Sequence, residues 1–157
     1  MAQPDNSVRA MLLARVPSLR AFAMSLCGNR DRADDLVQEA LVRAWANLAS
    51  FKTETNMSAW LFTILLNVSR SEYRKRRREV EDVDGSYAAS LVSLPNQMTY
   101  LEMDEFRKAL DLLPVSQRES LILVGASGFS QEEAAQICGC AVGTIKSRVN
   151  RARNRLA

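Results

Sequence analysis

Apolar side chains recur at intervals of three and four residues along most of the chain, and no run shows strict alternation of apolar and polar positions. Residues three or four apart share one face of a helix, whereas alternating residues share one face of a strand. The pattern therefore predicts an all-α fold.

Three helices are predicted in the first half of the chain. Pro17 suits the first turn of the first helix, which Gly28 can end. Asp31 is placed to cap the start of the second helix. The apolar stripe of that second helix consists of Val37, Leu41, Ala44, Trp45 and Leu48.

The third helix is expected to begin between Asn56 and Ser58. Asn67 then predicts a break or cap ahead of an arginine-rich run. The side chains expected to point inward are those of Trp60, Leu61, Ile64 and Leu65.

The chain changes character between residues 79 and 98, where acidic, glycine, serine and alanine residues replace the helical periodicity. This composition predicts a flexible linker. Two small helical domains, residues 1–78 and 99–157, are therefore expected on either side of it.

Three capping-box patterns, in which Ser or Thr is followed three residues later by Glu, predict helix starts in the second half. They begin at Thr99, Ser116 and Ser130. Residues 138–141 then make a short, glycine-containing connection to a last helix that begins near Val142. A short helix, a tight turn and a basic second helix form a helix-turn-helix pattern.

Positive charge is concentrated in two segments, although the formal net charge is only +3. Residues 70–78 contain six basic side chains and one acid, and residues 143–157 contain five basic side chains and no acid. Two separate basic segments indicate two contacts with nucleic acid.

Cys27, Cys138 and Cys140 form an odd set with no secretory signal before them, which favours a reducing cytoplasm over a disulfide framework. The C-x-C spacing and the lack of histidine disfavour a metal site. No apolar stretch is expected to span a membrane. The chain shows neither a phosphate-binding glycine loop nor a nucleophile–base pattern, so an enzyme is the least supported class, and no cofactor or small-molecule substrate is expected.

Four blocks of sequence resemble, in order, the second and fourth conserved regions of the extracytoplasmic-function (ECF) sigma factors of bacterial RNA polymerase. The blocks are DRADDLVQEALVRAWANLASF (31–51), SAWLFTILLN (58–67), LPVSQRESLIL (113–123) and GFSQEEAAQICGCAVGTIKSRVNRARNRL (128–156). A helix-turn-helix with GTIKSR also occurs in unrelated regulators, but four blocks in family order are specific. The resemblance implies a protein that gives core RNA polymerase its promoter specificity.

The resemblance also implies that one face of the second helix docks on the largest subunit of core RNA polymerase. The residues assigned to this contact are Asp34, Asp35, Leu36, Gln38 and Glu39. An acidic stripe on an amphipathic helix is more often a solvated face, and only its position within DDLVQEA favours docking.

Residues 67–78 resemble the family segment that recognises the minus-ten promoter element as a single strand. Recognition of a flipped base needs polar groups beside a cationic track for the backbone. The residues assigned to this contact are Asn67, Ser69, Arg70, Ser71, Arg74, Lys75, Arg76 and Arg77. Ser71 departs from the aspartate that is common in the family, so the chemistry of the base pocket stays open. An exposed helix or a nonspecific basic tail is the alternative interpretation of the arginine run.

Residues 144–153 resemble the recognition helix for the minus-thirty-five duplex element. Ile145, Val149 and Ala152 are expected to face inward at helical spacing. The residues assigned to DNA are Thr144, Lys146, Ser147, Arg148, Asn150, Arg151 and Arg153. The backbone amides near Thr144 could bind a phosphate, and a simple capping role is the alternative for its side chain.

Within the family, ILVGASGFSQEEAAQICGCAVGTIKSR and SEYRKRRREVED resemble the general-stress subgroup of alphaproteobacterial ECF sigma factors. That resemblance implies a small anti-sigma factor that occludes the polymerase-binding surfaces, and a phosphorylated response regulator with a sigma-like domain that removes it. One alternative is a sigma-mimic protein that sequesters an anti-sigma factor, but such a protein should lack the basic segments and be joined to a receiver domain. Another is a stand-alone helix-turn-helix regulator, which would normally carry a dimerisation element.

Overall fold

A computed structural model describes residues 6–51, 56–82 and 101–157, and every regular element in these ranges is helical. The N-terminal half contains α1 (Asn6–Ala14), α2 (Val16–Cys27), α3 (Arg30–Ala46), a short 3₁₀ turn (Leu48–Ser50) and α4 (Met57–Asp82). The C-terminal half contains α5 (Leu101–Asp111), α6 (Val115–Leu121) with a π-helical turn after it (Ile122–Ala126), α7 (Gln131–Cys138) and α8 (Val142–Leu156). The prediction of an all-α fold is confirmed.

The ends of α2 agree with the sequence, whereas the start of α3 does not. Pro17 lies in the first turn of α2, and Gly28 ends the helix in the left-handed conformation with φ 67°. The predicted cap at Asp31 is wrong, because Asn29 caps α3 and its side chain accepts a hydrogen bond from the amide of Arg32 at 3.1 Å. Asp31 lies within the first turn of α3, where its negative charge suits the positive end of the helix.

The predicted break at Asn67 is also wrong, because α4 runs without interruption from Met57 to Asp82. The side chain of Asn67 is exposed, so its inclusion in the helix costs little free energy. Its neighbours Leu66 and Val68 are buried. The burial of these neighbours outweighs the modest helix propensity of one asparagine. The helix also passes the expected domain boundary after residue 78, and residues 83–98 of the predicted linker lie outside the described residues.

Of the three predicted capping boxes, one is confirmed, one is wrong, and Thr99 lies outside the described residues. The hydroxyl of Ser130 accepts from the amide of Glu133 at 3.0 Å, and the carboxylate of Glu133 accepts from the amide of Ser130 at 2.9 Å. Ser116 lies inside α6, which begins at Val115. Glu119, its supposed partner, is buried and engaged elsewhere.

The two halves share one hydrophobic core, and the ring of Phe62 in α4 lies at the junction. On one side Phe62 stacks on Phe22 of α2, with ring centroids 4.9 Å apart. On the other side the edge of Phe129, in the turn before α7, meets Phe62 at 5.0 Å. All three rings are almost fully buried, so each half covers apolar surface of the other.

Arg118 of α6 links the halves through the polar groups at helix ends. Its guanidinium donates to the carbonyl of Leu26 near the end of α2 at 3.1 Å. It also donates to three carbonyls at and beyond the end of α5, those of Leu110, Asp111 and Leu113, at 2.9–3.1 Å. Carbonyls at a helix C-terminus lack partners within the helix, and an arginine satisfies several of them at once.

No apolar stretch was expected to span a membrane, but by length and composition alone Ser7–Cys27 is long and apolar enough to cross one. In the structure this segment is interrupted at Arg15, which separates α1 from α2 and donates to the Ser58 hydroxyl at 3.0 Å. Its large apolar residues Leu19 and Phe22 are buried in the shared core. The segment therefore packs as part of the helical bundle.

The two serines of the capping-box patterns give a stability test. Ser130→Ala should lower the free energy of unfolding by about 1 kcal/mol, because it removes the confirmed cap of α7. Ser116→Ala, inside α6, should change it by less than about 0.5 kcal/mol. Urea denaturation followed by circular dichroism measures both, and equal losses would contradict the assignment of the cap.

Candidate nucleic-acid interface

Helix α8 divides into a buried face and an exposed polar face. Ile145, Val149 and Ala152 are buried, as the spacing predicted. Of the residues assigned to DNA on this helix, those that are exposed are Lys146, Ser147, Asn150, Arg151 and Arg153. Every charged residue of α8 is basic, so the helix presents a cationic surface to solvent.

Thr144 and Arg148, which were assigned to the same DNA contact, are only half-exposed. The Thr144 side chain does not cap α8, since Ala141 holds the capping position without a side-chain bond. The Thr144 amide already donates to the carbonyl of Ala141 at 3.1 Å, whereas phosphate binding by the amides near Gly143 and Thr144 stays a prediction. Arg148 lies against the turn, with its guanidinium 3.8 Å from the Cys140 sulfur.

The turn between α7 and α8 is as short as the sequence predicted. Gly139 ends α7 in the left-handed conformation with φ 71°, which a residue with a Cβ adopts only at a cost. Ala141 then begins α8 in an extended conformation. Two short helices joined in this way form a helix-turn-helix unit whose second helix is α8.

The C-terminal part of α4 forms the second basic surface. Most of the residues assigned there are exposed, namely Asn67, Ser71, Arg74, Lys75 and Arg77. Ser69 and Arg76 are half-exposed, and the Arg76 guanidinium lies 3.8 Å from the Glu72 carboxylate one turn earlier. A pair of this kind, partly exposed and widely spaced, contributes little and leaves Arg76 available to an anion.

Arg70 is the exception on this surface, because its guanidinium is bound to the other half of the chain. It lies 3.0 Å from the carboxylate of Glu119 in α6, whose side chain is only 3% exposed. It also donates to the carbonyl of Cys138 at the end of α7, at 3.1 Å. In this conformation the Arg70 guanidinium is therefore engaged within the chain, and its assignment to the minus-ten element stays a prediction.

The charge of Arg70 is fixed by this contact. Burial lowers the pKa of its guanidinium, but the hydrogen bond and the charge of Glu119 outweigh that effect and raise the pKa above its usual value. Arg70 is therefore a permanent cation in the closed arrangement.

The acidic face of α3 is largely accessible. Asp35, Gln38 and Glu39 are exposed, while Asp34 lies 3.0 Å from the guanidinium of Arg20 in α2. At that separation the two side chains form an ion pair. Leu36 is 6% exposed and packs in the shared core, and its assignment to a partner contact stays a prediction.

Two comparisons with protein families cover both halves of the chain. Residues 11–79 match the model for Sigma-70 region 2, and residues 103–156 match the model for Sigma-70 region 4. The chain is also 70% identical over 152 residues to the ECF RNA polymerase sigma factor EcfG of Rhodopseudomonas palustris, an alignment that covers 97% of this chain and 84% of that protein.

The chain belongs to the ECF RNA polymerase sigma factors.

Two solved structures share its fold. The sigma factor RpoE from Bartonella quintana, solved in complex with the anti-sigma factor NepR, superposes with a TM-score of 0.84 at 52% identity, covering 97% of this chain and 95% of that one. CnrH, solved with the cytosolic domain of CnrY, superposes with a TM-score of 0.73 at 29% identity, covering 97% and 86%. The family expected from the four sequence blocks is confirmed.

The structure of this sigma factor also identifies exposed apolar residues that sequence reasoning missed. Val42 and Trp45 of α3 are 64% and 45% exposed, although Trp45 was expected to point inward. The buried stripe of α3 ends on Ala40 and Ala44, and Trp45 follows about 100° further around the helix. The cue in the sequence was the run of small residues at helical spacing, which marks the side of α3 that packs closely.

The cysteines of this sigma factor are free thiols. Burial, together with the nearby charge of Glu119, raises the pKa of Cys138 to about 11 against the opposing effect of Arg70. Burial also raises the pKa of Cys27. Within the described residues no group of three or more metal-binding side chains lies together.

Thiol reactivity tests this arrangement. At pH 8 only about one Cys138 side chain in a thousand should be a thiolate, because the pH lies three units below its pKa. Iodoacetamide should therefore modify half-exposed Cys140 well before Cys138, with the Cys138 rate rising toward pH 11. Mass spectrometry of the peptides measures this order, and faster modification of Cys138 in the folded chain would contradict it.

Proposed function

We propose that this sigma factor binds core RNA polymerase, directs initiation at two-part promoters, and performs no chemistry of its own. The observation that carries the proposal is the exposed, wholly basic face of α8 on a helix-turn-helix whose apolar face is buried. A rigid helix with one buried apolar face and one exposed basic face can lie in the major groove of DNA while its basic side chains bind the phosphates.

The exposed face of α8 supplies both kinds of contact that duplex recognition needs. Arg151 and Lys146 can pair with the edge of a guanine, and Asn150 can pair with the edge of an adenine. Arg153, further along the helix, is placed for phosphate. We therefore assign the minus-thirty-five element to α8.

The exposed side chains of α4 suit single-stranded DNA. Arg74, Lys75 and Arg77 provide a cationic track, and Asn67 and Ser71 provide polar groups on the same helix. Base capture at such a site returns about 1–3 kcal/mol, comparable to the cost of unstacking one base, so polymerase must supply the remaining energy of strand opening. We assign the minus-ten element to this surface.

The acidic face of α3 is proposed as the contact with core polymerase. Asp35 and Glu39 can steer association with a basic partner, whereas the exposed rings and methyl groups of Trp45 and Val42 can supply affinity by burial. Charge and apolar surface together make this face a better docking site than a solvated acidic stripe would be.

Control by an anti-sigma factor is the remaining part of the proposal. RpoE was solved with the anti-sigma factor NepR and CnrH with the cytosolic domain of CnrY, and the chain resembles both over nearly its whole length. We infer that a small anti-sigma factor covers this sigma factor as well, in a general stress response.

Run-off transcription tests the function directly. Core polymerase with the chain should give discrete products from a promoter library, and core polymerase alone should give none of them. Products that are identical with and without the chain would overturn the proposal.

Substitution on α3 tests the polymerase contact. Asp35→Lys should weaken binding to core polymerase about tenfold through charge repulsion while leaving the melting temperature nearly unchanged, since Asp35 is exposed. Glu105→Lys, at an exposed position of α5, is the matched control and should bind as the wild type does. Competition for core against a labelled sigma factor measures both, and equal affinities would contradict the assignment.

Substitution on α8 tests the duplex contact. Arg151→Ala should cost about 1–3 kcal/mol at a cognate minus-thirty-five element and relax the preference at one base position. Arg155→Ala, near the exposed end of the helix, should lower the affinity for every DNA sequence by the same factor. It should also reduce the salt dependence of binding without changing the base preference. Fluorescence anisotropy on a set of single-base variants separates the two. A uniform loss for Arg151→Ala would contradict direct base recognition.

A further inference from the structure

Two cysteines flank the glycine that ends α7, and the proposed function makes no use of them. Cys138 is the last residue of α7 and is 6% exposed, whereas Cys140 is half-exposed in the turn that leads to α8. Cys138 belongs to the shared core, and Cys140 packs against it. The pair therefore lies at the joint between α7 and the helix that is proposed to read duplex DNA.

The backbone of this turn brings the two α-carbons within reach of a disulfide. Gly139, between them, has φ 71° and ψ 39°, which is close to the mirror image of a helical residue. A helical residue of either hand separates the Cα atoms of its two neighbours by about 5.4 Å. Disulfides span Cα separations of roughly 4.4–6.8 Å. The pair therefore meets this distance requirement without movement of the backbone.

The hydrogen bonds at the end of α7 turn Cys140 back toward that helix. The amides of Gly139 and Cys140 both donate to the carbonyl of Ala135, at 2.9 and 3.0 Å. The second of these bonds is that of a Schellman ending, in which the residue after the glycine packs on the helix that precedes it. Ala135 and Cys138 are three residues apart and share one face of α7. Cys140 is therefore directed to the side of α7 that carries Cys138.

The electrostatics of the turn agree with this placement. Burial, the charge of Glu119 and the charge of Cys140 raise the pKa of Cys138, as expected of two sulfurs that are close enough to interact. The Nη1 atom of Arg148, in the second turn of α8, lies 3.8 Å from the Cys140 sulfur. Cys140 thus lies between the buried thiol of α7 and a basic side chain of α8.

We propose that Cys138 and Cys140 form a redox-sensitive pair, which hydrogen peroxide oxidises to a disulfide that weakens duplex recognition by α8. The disulfide itself rests on the geometry of the turn, and its effect on DNA rests on the proposed function. Both cysteines are free thiols in this structure, which is the reduced state of the pair. In a reducing compartment, disulfides are usually transient and redox-sensing.

The two thiols react in a fixed order, because only Cys140 is accessible to a small oxidant. The Cys140 thiolate attacks one oxygen of hydrogen peroxide, the O–O bond breaks, and Cys140 becomes a sulfenic acid as hydroxide leaves. The Cys138 thiol then attacks that sulfur, which forms the S–S bond and releases the sulfenic oxygen as water. The two cysteines lose two electrons, hydrogen peroxide gains them, and a dithiol reductant reverses the change.

Disulfide formation changes the turn rather than the core. It draws the Cys140 sulfur toward Cys138 and away from Arg148. Because the interior around Cys138 is closely packed, the adjustment falls on the turn and on the position of α8 against α7. A binding helix must be held within about 0.5 Å of its productive position, so even a small shift of α8 weakens its contacts with base edges.

The test uses the full-length chain with Cys27→Ser, in which only the pair can react. After hydrogen peroxide, intact mass spectrometry should show the loss of two hydrogen atoms, and neither cysteine should react with iodoacetamide. Affinity for a duplex carrying a minus-thirty-five element selected from the promoter library should fall about tenfold, as for the loss of one base contact. Dithiothreitol should restore the mass and the affinity.

Two variants in the same background isolate the disulfide. Cys140→Ser keeps a small polar side chain at a half-exposed position, and peroxide should change neither its mass nor its affinity for the duplex. In Cys138→Ala the second step is blocked, so Cys140 should accumulate as the sulfenic acid, which dimedone labels. The chain with both cysteines should carry much less of this label. Circular dichroism confirms that each variant is folded.

The outcomes separate the disulfide from the proposed function. Equal dimedone labelling of Cys138→Ala and of the chain with both cysteines would overturn the disulfide. A disulfide that leaves the affinity for the duplex within about twofold of the reduced chain would overturn its effect on α8. A reduced chain that fails to bind any selected duplex would contradict the proposed function, while the mass and labelling results would still decide whether the disulfide forms.

Discussion

The packing of α4 against both halves of the chain is the constraint on which the rest of the structure depends. Leu61 and Leu65 are fully buried, and Phe62 lies between a ring from α2 and a ring from the turn before α7. One continuous helix thus supplies core for both halves and carries the arginine-rich surface on its next turns. Changes in how the C-terminal half sits on α4 therefore act directly on the residues proposed to contact DNA.

Much of the fold follows from local sequence. Helical spacing gave the all-α class and the buried face of α8, and the box at Ser130 and Glu133 fixed the start of α7. The errors arose where a local signal competed with tertiary packing. Asn67 did not break α4, because its neighbours Leu66 and Val68 are buried, and burial of apolar surface exceeds the propensity of one residue.

The candidate surfaces could be predicted from the sequence only in part. Their basic character is visible in the sequence, because charge clusters along single helices remain clustered after folding. The fate of Arg70 was not visible, since it depends on a carboxylate 49 residues away in another helix. Glu119 also fits the capping-box pattern and stands among polar residues before an apolar run, so no local cue in the sequence marked it as buried.

The central claim is that the two DNA-reading surfaces lie together in the free chain and separate on the promoter. Pulsed electron–electron double resonance measures the separation of the halves. The spin labels are attached to non-canonical residues that replace exposed Ala21 and Arg155. One short distance is expected in the free chain, and an increase of tens of Å in the complex with core polymerase and promoter, as elements roughly 85 Å apart require. The same short distance in both states would contradict the account.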